Sequence, residues 1–184
     1  MALLIGFAPL VIFCVLARLS LNLALWIAFA MSFSLVTKSF LEAGILRLLD
    51  VAGMVLFGLL ALYAGFIHRG IELSWVGIVL ESGLFGIAVW SLTARRPFTS
   101  EYAGEQISPE QWDTPQFARA HYRLTGAWAA TFAVMGAADA QTLFLHIIAP
   151  NLAALIGLAV LAAALTYTWK SGIQIGRRFG KTPY

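Results

Sequence analysis

Two acidic residues lie well inside apolar stretches of this chain. Glu81 occurs in Ile-Val-Leu-Glu-Ser-Gly-Leu-Phe, and Asp139 occurs in Met-Gly-Ala-Ala-Asp-Ala-Gln-Thr. A carboxylate at the centre of a bilayer costs at least about 2.5 kcal/mol, so such acids face the interior of a helix bundle, hold a proton or find a partner. Acids of this kind mark ion and substrate pathways in membrane proteins. They are therefore the candidate groups for chemistry in this chain.

Small and polar residues surround both acids at helical spacing. The face that carries Glu81 also carries Ser74, Gly77 and Ala88, and the face that carries Asp139 also carries Gly136, Thr142 and His146. Arg18, His68 and Glu72 are expected near the same end of the bundle. Two interpretations follow. One is a cavity that protons or a solute can enter from the outer side, and the other is polar contact between helices, in which Arg18 or His146 neutralises an acid.

The two acids are expected at a similar depth, about 9 to 14 Å from the outer ends of their helices. Two ionised carboxylates close together in a medium of low dielectric constant repel each other, so one acid holds a proton or a cation stands between them. We therefore predict that at least one acid contacts Arg18, His146 or the other acid, and that neither faces lipid.

Motifs of known catalytic sites are absent from the sequence. It contains no HExxH, GxSxG, GxGxxG or Walker pattern and no cluster of ligands at metal spacing. His68 and His146 invite a haem hypothesis, but nothing in their spacing requires a porphyrin between them. Cys14 is the single cysteine, which excludes a disulfide within the chain. The sequence predicts no enzymatic activity, no metal site and no cofactor.

Composition places the chain among integral membrane proteins. Of its 184 residues, 60% are hydrophobic and 11% are charged, and the mean hydropathy is +0.83, far from the values of soluble domains. The basic residues lie scattered at the ends of apolar runs, which argues against nucleic-acid binding. We predict an all-α, polytopic transmembrane helix bundle that forms one membrane domain over residues 1–184.

About six apolar runs are long enough to be considered as spans. They are Ala2 to Leu16, Leu21 to about Val36, Val51 to about Ile67, Trp75 to Leu92, about His121 to Ile148, and Leu152 to about Trp169. The first reaches only about 22 Å as a helix, so the first one or two runs are predicted to be short or re-entrant. Residues 38–50 mix charged and bulky apolar side chains at helical spacing and predict an interfacial helix.

The distribution of basic residues predicts the orientation. If all six runs cross, ten of the twelve Lys and Arg residues share one face and only Arg18 and Arg69 lie opposite. The positive-inside rule then places both termini in the cytoplasm.

Residues 94–123 form the one long polar segment and are expected to be a cytoplasmic loop between spans four and five. The segment contains three of the six prolines, and Ser108-Pro109 predicts a short helix over 109–113. Its charged and aromatic side chains suggest a docking surface for other envelope or membrane-complex proteins. The candidate docking residues are Arg95, Arg96, Phe98, Tyr102 and Trp112.

Several stretches together resemble the bacterial intracellular septation protein A family. They are Phe7-Ala-Pro-Leu-Val-Ile-Phe13, the Arg-Arg-Pro exit over Trp90 to Pro97, the loop Gly104 to Trp112 that ends in Pro-x-x-Trp, and Leu124 to Asp139. The resemblance implies a small inner-membrane protein associated with cell division and the cell envelope. Asp139 stands where an amide residue is expected in that family, and Glu81 has no counterpart there, which suggests a divergent member.

Three functional hypotheses remain open on the sequence alone. The first is a non-enzymatic protein of envelope or division assembly that acts through protein contacts and the lipid bilayer. The second is a small transporter or channel that uses its membrane-buried carboxylates. The third is an accessory subunit of a larger respiratory or photosynthetic complex.

Overall fold

A computed structural model describes residues 2–102 and 114–179, and these residues form helices and no strand. Seven α-helices occur there. They are α1 (Ala2–Gly6), α2 (Ala8–Leu16), α3 (Leu21–Ala43), α4 (Leu48–Leu62), α5 (Leu73–Thr93), α6 (Pro115–Ala140) and α7 (Pro150–Phe179). π-Helical turns extend α4 over Tyr63–Ile67 and α6 over Gln141–Leu145, and a 3-10 helix spans Phe98–Tyr102.

Four stretches in the described part of the chain are long and apolar enough to cross a membrane. They are Leu21–Glu42, Leu48–Ile67, Leu73–Thr93 and Pro150–Gln174. Only 22% to 39% of the residues in their apolar windows are buried inside the protein. Most of their apolar surface therefore faces outward, as expected for helices that contact lipid rather than water. The finding supports the predicted helical membrane protein.

The first and fifth predicted runs differ from these four. The first is broken into α1 and α2 at Phe7, and Pro9 lies in the first turn of α2. Together they form a short apolar helix over Leu3–Leu16. The fifth run belongs to α6, which begins with Pro115 and carries Arg119 and Arg123 in its early turns. The predicted count of six spans therefore stays a prediction.

The interfacial helix predicted over residues 38–50 is wrong. Helix α3 continues through Lys38 to Ala43, where Gly44 ends it in the left-handed conformation at φ 63°. Glycine adopts this conformation without steric cost, which makes it the common residue after a helix end. A new helix, α4, then begins at Leu48. The charged residues thus belong to the ends of two long helices, with a turn between them.

The core joins the first short helices to the last two long ones through Trp128. This side chain is fully buried, and its ring stacks on Phe7 with 3.5 Å between the ring centroids and 10° between the planes. Its indole Nε1 donates a hydrogen bond of 3.0 Å to Thr168 Oγ1 in α7. One residue of α6 therefore connects the start of the chain with its last helix.

Candidate functional site

Glycines allow α5 and α6 to pack closely, and each glycine faces an acid on the other helix. The carboxylate of Asp139 in α6 lies against Gly77 in α5, where an added Cβ would overlap it. One turn further along α5, Glu81 lies against Gly136, and its Oε2 would be 3.5 Å from a Cβ at that position. Helices α5 and α6 also make the most extensive helix–helix contact in the described residues. The acids are therefore built into the main helix interface of the protein.

A cavity of about 540 Å³ opens beside these acids, between α2, α5, α6 and α7. Its polar and titratable lining comprises Cys14, Arg18, Glu72, Ser74, Glu81, Asp139, Thr142 and His146. Arg18, Glu72 and His146 are exposed, whereas Glu81 is buried. The cavity therefore runs from an exposed mouth at one end of the bundle to a buried acid in its interior.

Glu81 is the most enclosed polar side chain of this cavity. It is only 6% exposed, and its Oε2 has no hydrogen-bond partner among the described residues. Asp139 is half-buried and makes no hydrogen bond to any residue in that part of the chain. The ion pair found within residues 2–102 and 114–179 joins Lys38 and Glu42, on the surface of α3. Neither Glu81 nor Asp139 therefore forms a salt bridge there, although the charge of Arg18 acts on Asp139 from a longer distance.

Arg18 stands at the mouth and is held against α7. Its guanidinium donates hydrogen bonds of 2.8 Å to Asn151 Oδ1 and 2.9 Å to the backbone oxygen of Pro150. These bonds connect the end of α2 to the beginning of α7. Arg18 forms no salt bridge with an acid among the described residues, but its charge is close enough to act on Asp139, so the expectation that Arg18 or His146 neutralises an acid stays a prediction.

The predicted polar cluster is thus largely brought together. Arg18, Glu81, Asp139 and His146 line one cavity, although the first and last of them are more than 120 residues apart in sequence. His68 is not among its lining residues. It is exposed and stacks on Tyr63 with 6.3 Å between the ring centroids. Sequence reasoning did not identify the apolar part of the wall, which includes Phe13, Met135 and Leu158.

The aromatic residues that begin the polar loop are not on a docking surface. Phe98 is fully buried and Tyr102 is 4% exposed. The loop folds back as a 3-10 helix, which places both rings in the core. Arg95 and Arg96 are exposed, and Trp112 and the short helix predicted over 109–113 lie outside the described residues. Docking of other envelope proteins to this loop therefore stays a prediction.

A second polar cluster at the opposite end of the bundle explains this folding. Tyr102 donates a hydrogen bond of 2.7 Å to Asp50 Oδ1, and Asp50 is 3% exposed. Glu101 accepts a bond of 2.7 Å from the backbone N–H of Leu48, at the N-terminus of α4. Arg47 lies over the Tyr102 ring, 4.9 Å from its centroid. Burial raises the pKa of Tyr102 well above its ordinary value, which keeps its hydroxyl a donor.

His121 extends the same packing into α6. Its Nδ1 lies 3.1 Å from Thr99 Oγ1, and that hydroxyl also lies 2.9 Å from Thr125 Oγ1. The imidazole is 3% exposed, so His121 belongs to the buried core at the start of α6. Its neighbours come from the 3-10 helix and from α6, which explains why its burial was not visible in the local sequence.

The chain was also compared with known proteins. No protein-family model, curated protein or solved structure matches it. The resemblance to the septation protein A family therefore stays a prediction.

Proposed function

We propose that this protein is a small membrane transporter in which Glu81 and Asp139 are the protonatable groups of a solute-binding cavity. The observation that carries the proposal is the Glu81 carboxylate, buried beside a cavity of about 540 Å³ with Oε2 unpartnered in the described residues. Intramembrane acids that line a cavity are the usual elements of proton and ion pathways.

The competing interpretation is that the acids hold the helices together. A buried acid that serves as a structural contact needs a donor or a cation for its oxygens, because an unsatisfied buried charge is destabilising. Glu81 Oε2 has no such partner in the described chain, and the donors of Arg18 go to α7. A proton or a solute is therefore the partner that fits the site.

The proposed mechanism uses competition at one carboxyl group. An ionised Glu81 binds either a proton or the positive part of a solute, and both cannot occupy the same oxygens. Entry of one therefore displaces the other, and net exchange follows when the site opens to the two sides of the membrane in turn. Asp139 lies one helical turn nearer the mouth and provides a second carboxylate on the path.

The test uses proteoliposomes that contain a pH-sensitive dye. Panels of cationic, zwitterionic, anionic and neutral solutes are added, and the internal pH is followed. We expect at least one solute class to drive proton movement in the wild type and Glu81→Gln to abolish it. Glu42→Gln, which removes an exposed acid of α3, is the matched control and should behave as the wild type.

Loss of folding must be separated from loss of transport. Gln has nearly the same shape as Glu, so the variant should purify and unfold like the wild type. The proposal fails if no solute class moves protons in the wild type, or if Glu81→Gln transports normally.

A further inference from the structure

We infer that the ligand of this cavity is a monovalent organic cation with an apolar body, whose charged group binds between Glu81 and Asp139. The inference rests on the proposed function for its site, and it adds the chemical class of the solute. It is carried by the unpartnered Glu81 carboxylate, by the charges of the lining and by the apolar wall.

The charges of the cavity favour a positive ligand. The titratable groups of the lining come from three sides. Helix α2 and the turn after it contribute Cys14 and Arg18, and α5 with the residue before it contributes Glu81 and Glu72. Helix α6 contributes Asp139, and His146 follows its π-helical turn. The lining residues of α7 are all uncharged. Three acids thus face one arginine, and that arginine is hydrogen-bonded to α7 at the mouth. An anion that entered would approach two carboxylates, whereas a cation would be attracted to both.

The rest of the wall indicates that the cation carries an apolar body. Large apolar side chains from four elements line the cavity: Phe13, Leu73, Met135, Leu143 and Leu158. The small side chains of α7 that line the cavity, Ala153, Ala154 and Gly157, leave room beside them. A volume of about 540 Å³ lies within the range of about 300 to 1,000 Å³ found for sites of small organic molecules. A ligand that fills it must bury hydrocarbon as well as one charge.

Met135 makes this wall adaptable. Its Cε would lie 3.8 Å from a Cβ added to Gly157, so the side chain packs beside this glycine of α7 without filling the space of a Cβ. Methionine is unbranched and polarizable and adjusts to apolar groups of different shapes. The site is therefore suited to a class of amphipathic cations and not to a single rigid molecule.

The inference is tested by equilibrium binding, without any gradient. The purified protein in lipid nanodiscs is titrated calorimetrically with three probes of similar size: hexyltrimethylammonium, heptanoate and the zwitterion norleucine. We expect binding of the cation alone, with release of protons that is measurable in buffers of different ionisation enthalpy. Its affinity should rise with pH, because protons compete for the same carboxylates.

Variants distinguish the proposed site from unspecific partitioning of the probe. Glu81→Gln and Asp139→Asn should each weaken binding of the cation about tenfold or more, because each removes one charge partner from a desolvated site. Arg18→Gln should strengthen it, because a positive charge leaves the mouth. Glu42→Gln should leave it unchanged.

The possible results separate this inference from the proposed function. Binding of the cation that depends on Glu81, without transport in proteoliposomes, supports the inference and refutes the transporter. Transport of another solute class, without binding of the cation, supports the transporter and refutes the inference. Preferential binding of heptanoate or norleucine, absence of cation binding, or cation binding that is equal in Glu81→Gln would each overturn the inference.

Discussion

The carboxylate of Asp139 occupies the space that a side chain at Gly77 would fill. One turn deeper, the acid is on α5 and the glycine on α6: the Glu81 side chain lies against Gly136. Because α5 and α6 run antiparallel, each supplies one acid and one glycine, and the two acids lie in successive layers of the interface. This arrangement brings two carboxylates to the cavity without a bulky residue between them.

Replacement of Gly77 by alanine should displace the Asp139 carboxylate. The added methyl group overlaps that carboxylate, which can rotate away at modest cost because it ends a flexible side chain. We expect Gly77→Ala to change proton-coupled transport or cation affinity by about tenfold while the melting temperature changes little. Gly86→Ala is the matched control on the same helix, because a Cβ there meets no atom within 4 Å. Equal effects of both variants would contradict this prediction.

Removal of the Tyr102 hydroxyl should destabilise the opposite end of the bundle. Tyr102→Phe deletes the 2.7 Å hydrogen bond to Asp50 and leaves a buried acceptor without its donor. The expected cost is about 1 to 3 kcal/mol in the free energy of unfolding, measured with denaturant in detergent micelles. Tyr167→Phe is the control, since that ring is 44% exposed and its hydroxyl makes no hydrogen bond within the described chain. A loss below about 0.5 kcal/mol in Tyr102→Phe would show that the bond contributes little.

Glu101 should make the stability depend on pH. Burial raises the pKa of Glu101 above its ordinary value of 4.5, and the hydrogen bond from the Leu48 N–H lowers it only in part. A group whose pKa is higher in the folded state contributes fully at pH values below its unfolded pKa, and the contribution disappears as pH rises through the folded pKa. The wild type should therefore lose stability relative to Glu101→Gln as the pH rises above about 4.5.

The measurement for Glu101 is a series of unfolding curves from about pH 4 to about pH 8. Gln retains an acceptor for the Leu48 N–H without the ionisation, so the comparison isolates the charge. Glu42→Gln, at an exposed position, should follow the wild type over the whole series. Parallel curves for the wild type and Glu101→Gln would refute the assignment.

Loss of the Thr168 hydroxyl should leave the indole N–H of Trp128 unpaired. Thr168→Val keeps the shape of the side chain but removes the acceptor of the 3.0 Å bond, and Trp128 is fully buried. We expect a loss of about 1 to 3 kcal/mol in the free energy of unfolding. Thr166→Val, two residues earlier, is the control, because that hydroxyl is exposed and bonds only to carbonyl groups of its own helix. Equal losses for the two variants would show that the hydrogen bond of Trp128 does not contribute measurably to the free energy of unfolding.

Local pattern was sufficient to predict four long apolar helices and the faces of α5 and α6 that carry the two acids. The hydrophobic runs predict that α3, α4, α5 and α7 are long apolar helices, because a span must satisfy all of its backbone groups within itself. The small-residue faces around Glu81 and Asp139 predict which sides of α5 and α6 meet. Both inferences depend only on residues close in sequence, where helical geometry sets the spacing.

Local pattern misjudged the two places where a polar stretch meets the bundle. Residues 38–43 continue α3, because tertiary packing tolerates charged residues at the exposed end of a helix and Gly44 supplies the stop. Tyr102 is buried against Asp50, about 50 residues earlier, and Phe98 is buried against the Phe7 ring near the start of the chain. No periodicity within the loop encodes those partners.

The sequence by itself determined that two acids lie inside apolar helices of this protein, because their neighbours and the spacing of 3.6 residues per turn are properties of the chain alone. Only the tertiary structure decided that Asp139 lies on Gly77, that Arg18 turns to α7 and that a cavity remains beside Glu81. The rotation and axial register of one helix against another depend on side-chain packing summed over many distant residues. The rotation and register of the helices therefore decide whether an acid between them is paired or open to a ligand.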